Sequence, residues 1–149
     1  MNSESSLNHL LRDGVARAAA VVALAGVGLI HVLDAPGTFA NATYIGLLYV
    51  ALIVGSVLTA GALIRSSDSR AWLAAVLLPL GAIVGFTLSR TIGLPQDMGD
   101  IGNWGEPLGM ASLFVEGTLV ALSAAVLRDR VDAANRRLAL QAPWQAVEA

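Results

Sequence analysis

Four apolar stretches leave this chain few places to fold other than a lipid bilayer. Each is close to the roughly 20 residues that a helix needs to cross a hydrocarbon core at about 1.5 Å per residue. They run from about Val15 to Leu33, Ala42 to Ile64, Ala71 to Leu88 and Pro107 to Leu127. Arg17 interrupts the first only at its start, the second carries no charge, and the fourth holds one, Glu116. None shows the one-sided polar face of a helix lying on a soluble core. Charged residues make up only 13% of the chain, about half the share usual in a soluble domain, which excludes a water-soluble globule. The absence of cysteine excludes a disulfide scaffold, and a net charge of −2 argues against nucleic acid as a partner. The reading is all-α: an integral membrane four-helix bundle, one transmembrane domain over residues 1–149, with a cytoplasmic tail at 129–149.

Arginine placement predicts the orientation. Arg12, Arg17, Arg65, Arg70, Arg128, Arg130, Arg136 and Arg137 fall at one end of the predicted bundle and Arg90 alone at the other. By the positive-inside rule both termini are cytoplasmic, and the 1–2 and 3–4 connections face outward. That outer face is acidic, with Asp34, Asp97, Asp100 and Glu106 against Arg90. Ala40-Asn41-Ala42 offers a signal-peptide-like cleavage site, but the first run is long for one and Asp34 and Pro36 intervene, so the expectation is a retained span. Arginine without lysine, beside abundant Ala, Val, Gly and Leu, suits a high-GC bacterial proteome and hence a bacterial plasma membrane.

The connections carry their own signals. Pro36 and Gly37 predict the end of helix one, with Asn41 or Thr43 capping helix two, and Asp68 or Ser69 can cap helix three. The stretch Thr91–Glu106 is long for so small a protein and holds four glycines, a proline, Trp104 and three carboxylates. A loop of that length usually serves function, and it is expected to be an ordered outer lid with Trp104 buried or interfacial. Gly81-x-x-x-Gly85 permits close backbone approach, for packing within the chain or for dimerisation. Beyond helix four, Val131–Ala149 is expected to prolong the helix along the membrane surface, with Trp144 near the headgroups.

Ionisable groups inside hydrocarbon are costly and are therefore candidates for function. Glu116 lies roughly 14 Å down helix four from Pro107, on one stripe with Gly109, Ser112 and Ser123. It reads either as a proton, cation or metal site or as a buried carboxyl that fixes packing. His31, three residues before Asp34, reads as a ligand or proton relay or as a hydrogen-bonded core residue. Arg90 reads as half of an ion pair with Glu106, Asp34, Asp100 or Glu116, or as a group orienting a substrate. The expected pocket therefore comprises His31, Arg90 and Glu116, with Glu106 and Trp104 at its rim; helix two is expected to add no polar group. A metal, if there is one, would sit on His31 and Glu116, which is weak chemistry for tight binding. No cofactor is implied.

Ser89-Arg90-Thr91-x-Gly93-Leu94-Pro95, Trp104-Gly105-Glu106-Pro107-Leu108-Gly109 and Glu116 together resemble a pattern in small four-span membrane proteins of high-GC actinobacteria. The resemblance implies an architecture and a site at His31, Arg90, Glu106 and Glu116, and no activity. Three functions stay open: a binding or sensing protein for a cation, metal or small polar ligand; an accessory subunit packed on a larger membrane complex; and an oligomeric transporter or channel. Partners beyond lipid would be membrane proteins or further copies of the chain. No nucleophile–base pair or phosphate loop points to an enzyme.

Overall fold

The structure, a computed structural model, describes residues 2–145, with side chains left out at 2–6, 9 and 142–145. The expected headgroup position of Trp144, and the side chain of His9, lie outside the described residues. Four long helices form a bundle: α1 (Asn2–Asn41), α2 (Thr43–Arg65), α3 (Ser69–Thr91) and α4 (Pro107–Gln145). Each is long and apolar enough to cross a membrane, which makes the chain an integral membrane protein with four spans. Leu10, Val22, Leu29, Leu58 and Phe114 stand exposed on the outside of the bundle, where lipid rather than water would cover them.

The interior is built from one stripe per helix at alternating spacings of three and four residues. On α1 the buried positions are Ala20, Leu24, Val27 and His31; on α4 they are Ser112, Glu116, Leu119 and Ser123. The two helices run antiparallel, so His31 meets Ser112 and Glu116 toward one end, while Ala20 and Leu24 pack with Leu119 toward the other, where Ser123 is the one polar member of the α4 stripe. At the apolar end Ala20, Leu24, Leu63, Trp72, Ala75 and Leu119 form the core. The 2–3 turn closes that end. Arg17 donates from Nε to Leu63 O (2.7 Å) and from its terminal nitrogen to Ile64 O (2.6 Å), satisfying carbonyls that the end of α2 leaves without partners. Asp68 caps α3 by accepting from Arg70 N at 3.1 Å, as its position predicts.

Two boundaries differ from the sequence reading. Helix α1 does not stop at Pro36 but runs through it to Asn41. Proline forfeits its own hydrogen bond to the residue four earlier and crowds that residue's carbonyl, and the Thr38 hydroxyl, bonded back to Asp34 O at 3.2 Å, ties the following turn to the one before. The 1–2 connection shrinks to Ala42, an extended residue that serves as the α2 N-cap without a side-chain bond, so neither Asn41 nor Thr43 caps the helix. Helix α4 continues unbroken into the tail as far as Gln145. The orientation of the bundle across a membrane is taken up below with the function.

Candidate functional site

At the end opposite the termini the helices enclose a cavity of about 620 Å³. Its wall takes residues from all four helices and from the 3–4 connection: His31 and Asp34, Tyr49, Arg90, Asp97 and Asp100, and Glu116 among others. Helices α2 and α3 touch each other much less than α1 touches α2 or α3 touches α4, and the space lies between them.

At its inner end His31 and Glu116 face one another, Nε2 to Oε1, at 3.8 Å. From the ends predicted in the sequence Glu116 belongs about 10 Å deeper than His31. The extension of α1 removes that difference. His31 lies ten residues before Asn41 and Glu116 nine residues after Pro107, so both sit about 14–15 Å below their helix ends. Glu116 is 1% exposed. Its Oε1 accepts from the Ser112 hydroxyl at 2.8 Å, and its Oε2 has no hydrogen-bond partner among the described residues. His31 Nδ1 lies 2.9 Å from Val27 O. A carbonyl can only accept, so Nδ1 carries the proton, and Nε2 of the neutral ring is an acceptor. With that ring neutral and the carboxyl ionised, two acceptors look at each other across a gap too long for a hydrogen bond.

The middle of the wall holds groups the sequence reading missed. Tyr49 of α2 packs edge-on against the His31 ring, centroids 4.6 Å apart, and its hydroxyl donates to Asp34 at 3.0 Å. Helix α2 thus supplies a polar group after all. The signal was a second tyrosine, past Tyr44 and six residues into α2, because a buried tyrosine hydroxyl needs a partner.

At the mouth Arg90, 6% exposed, ends α3. It does not reach Glu116. Its two terminal nitrogens bind separate carboxylates, Asp100 and, at 2.7 Å, Glu106. Its guanidinium lies over the Phe86 ring, 4.7 Å from the centroid, and Trp104 lies edge-on to the same Phe86 ring, centroids 6.0 Å apart. Trp104 is 42% exposed and outside the cavity wall, which it supports through Phe86. The connection is held as an ordered cover. The Arg90 carbonyl accepts from Gly102 N at 2.9 Å, and Tyr44 donates to Pro95 O at 2.9 Å. Gly93 turns the chain out of α3 at φ +78°, with Met98 and Ile101 so close that a side chain there would meet both.

Five carboxylates line this cavity (Asp34, Asp97, Asp100, Glu106 and Glu116) against one arginine. Burial, and then the charge of Asp100 with Asp34 behind it, push the Asp97 carboxyl up from its ordinary value, while Arg90 pulls it down. A carboxyl raised on folding opposes the folded state once ionised, so its contribution worsens as pH rises through the ordinary value toward the raised one. Asp97→Asn is expected to remove that slope and to raise thermal stability above neutral pH, by less than about 1 kcal/mol because the charge is partly screened. Melting curves of both proteins in detergent between pH 4 and 8 check it.

Among the described residues no group of three His, Asp or Glu side chains is placed to hold a metal ion. His31 and Glu116 alone would be a weak pair of ligands for tight metal binding. No protein-family model, curated protein or solved structure matches this chain.

Proposed function

We propose that the chain is a small binding protein of the bacterial plasma membrane, its termini cytoplasmic and its pocket opening outward, and that the pocket takes a cationic ligand through His31, Asp34, Tyr49 and Glu116. The single observation that carries this reading is the His31–Glu116 pair, two buried ionisable groups facing each other 3.8 Å apart with no hydrogen bond between them. A donor cation placed beside them satisfies both, and it is drawn there by the surplus of carboxylates over Arg90. An anion would meet that surplus without compensation. The cavity also favours binding over a purely accessory role, since an accessory subunit needs apolar faces for partners and no enclosed polar space. At about 620 Å³ it falls within the range of about 300–1,000 Å³ typical of small-molecule sites. The eight-to-one arginine split supports the orientation.

Benzylammonium and benzenesulfonate share a body and differ in charge. Equilibrium dialysis of the purified protein in maltoside detergent is expected to show saturable binding of the first and none of the second. Glu116→Gln is expected to weaken benzylammonium at least tenfold while leaving the thermal melting of the protein nearly unchanged, since the amide can still pair with Ser112. Equal binding of both probes, or full binding by Glu116→Gln, overturns the reading.

A further inference from the structure

Two glycines of α3, Gly81 and Gly85, have the spacing that lets membrane helices approach closely. In the structure they serve no such contact. Both line the cavity, and a Cβ built at either meets nothing within 4 Å. Leu77, one turn before Gly81 on α3, and Leu48 and Ala51 across from them on α2 line the same cavity and are also exposed, Leu48 at 61% and Leu77 at 56%. Residues that face both the cavity and the exterior mark an opening. It lies at membrane depth: Gly81 is ten residues before the end of α3 at Thr91, and Leu77 fourteen, or about 15 and 21 Å along the helix axis. At that depth the exterior is hydrocarbon. The space therefore has two chemistries, a carboxylate- and histidine-lined region at α1 and α4 and an apolar slot between α2 and α3 that opens sideways.

We propose that the ligand is an amphipathic amine, an N–H-bearing ammonium on an apolar body, and that it enters from the bilayer through the slot between α2 and α3. This rests on the cationic reading of the pocket and adds to it the body and the route. The ammonium sits beside the pair, off the line joining His31 Nε2 to the Glu116 carboxylate, and donates to both. Asp34 and the Tyr49 ring stand within the same wall. The apolar body lies along Leu48, Leu77 and the bare backbone at Gly81, where it completes packing that the glycines leave open. A purely hydrophilic cation would leave that slot unfilled and would first have to cross hydrocarbon to use it. The same chemistry belongs to a free amphipathic amine and to the amine headgroup of an aminolipid.

The test compares benzylammonium with methylammonium, which keeps the charge and N–H donors and loses the body, in wild type and Gly81→Leu. A Cβ at position 81 meets nothing within 4 Å, so leucine there is expected to grow into the slot, and it also favours the helix over glycine. Benzylammonium is expected to bind at least tenfold more tightly than methylammonium, and Gly81→Leu to cancel that difference while methylammonium binding stays within twofold. Phosphatidylethanolamine added to the micelles competes if the resident amine is a lipid headgroup. If it does not compete and phosphatidylglycerol is equally inert, the amine is a free one. Equal affinity for the two probes, with Glu116→Gln weakening both at least tenfold, overturns the amphipathic ligand and its route and leaves the cationic pocket standing. Loss of all amine binding in wild type overturns both. A wild-type dimer that Gly81→Leu dissociates, measured by light scattering, means that a second copy fills the slot and also overturns the proposal.

Discussion

Arg90→Ala is expected to lower the stability of the protein by about 3 kcal/mol, the lower end of what breaking a buried ion pair costs. The guanidinium is almost wholly buried, and it is the one cation set among the carboxylates of the mouth. Removing it strands Asp100 and Glu106 beside Asp34 and Asp97, so repulsion replaces attraction. The side chains of Asp100 and Glu106 are 35% and 30% exposed, and their partial rehydration keeps the loss from reaching the upper end of the range. The packing of Phe86 and Trp104 loses its centre in the same step. Asp100→Asn and Glu106→Gln, made singly, are each expected to cost about 1 kcal/mol, because Arg90 keeps its other partner. Arg90→Lys should recover less than half of the loss, since an ammonium cannot reach two separated carboxylates in a fixed fork. Reversible unfolding in mixed micelles measures the series. Limited proteolysis between Asp97 and Trp104 should accelerate in Arg90→Ala before the helices are cut, because the cover opens first. A loss below 1 kcal/mol for Arg90→Ala would show that the cover is held by its backbone alone.

Trp72→Ala should cost about 3–5 kcal/mol, the range for removing a large aromatic from a packed interior. Trp72 is fully buried in the core at the terminal end, where it packs among Ala20, Leu24, Leu63 and Leu119. It is also a polar junction. Its indole donates to the Ser67 hydroxyl at 3.2 Å, Ser67 donates to Asp13 at 2.9 Å, and Arg130 binds both Ser67 and Asp13 while its guanidinium lies 5.9 Å from the Trp72 ring. One residue thus joins α1, the 2–3 turn, α3 and α4. Trp72→Phe separates the two contributions: it keeps most of the packing and is expected to lose the indole hydrogen bond, about 1 kcal/mol, together with part of the volume. Neither substitution touches the cavity, so amine binding by the Phe variant should match wild type. If Trp72→Ala melts within about 1 kcal/mol of wild type, the closed end is not what holds the bundle together.

The four spans were legible in the sequence because hydrocarbon imposes a length and a composition on any helix that crosses it, and nothing in the interior of the protein alters that demand. The burial of Glu116 and its stripe was legible for the same reason, as was the Asp68 cap. Pro36 was misleading. In a soluble context it marks a helix end, but α1 absorbs the lost hydrogen bond and continues to Asn41. That one extension moved His31 to the depth of Glu116. Tyr49 went unnoticed because a tyrosine in an apolar run looks like packing until its hydroxyl is seen on Asp34.

Apolar length and charge placement alone specify a four-span bundle with costly ionisable groups in its interior, since in a bilayer these are local properties that each segment carries by itself. The sequence also named His31, Arg90 and Glu116 as groups that must find partners. Which partners they find was decided only by the tertiary structure. Depth along α1 brought His31 to Glu116. The fold of the 3–4 connection gave Arg90 to Asp100 and Glu106 instead. The splaying of α2 from α3 turned a glycine pair into the wall of a cavity. Each of these depends on where one helix ends relative to another, and that register is a property of the packed bundle, set when all four stripes are buried together.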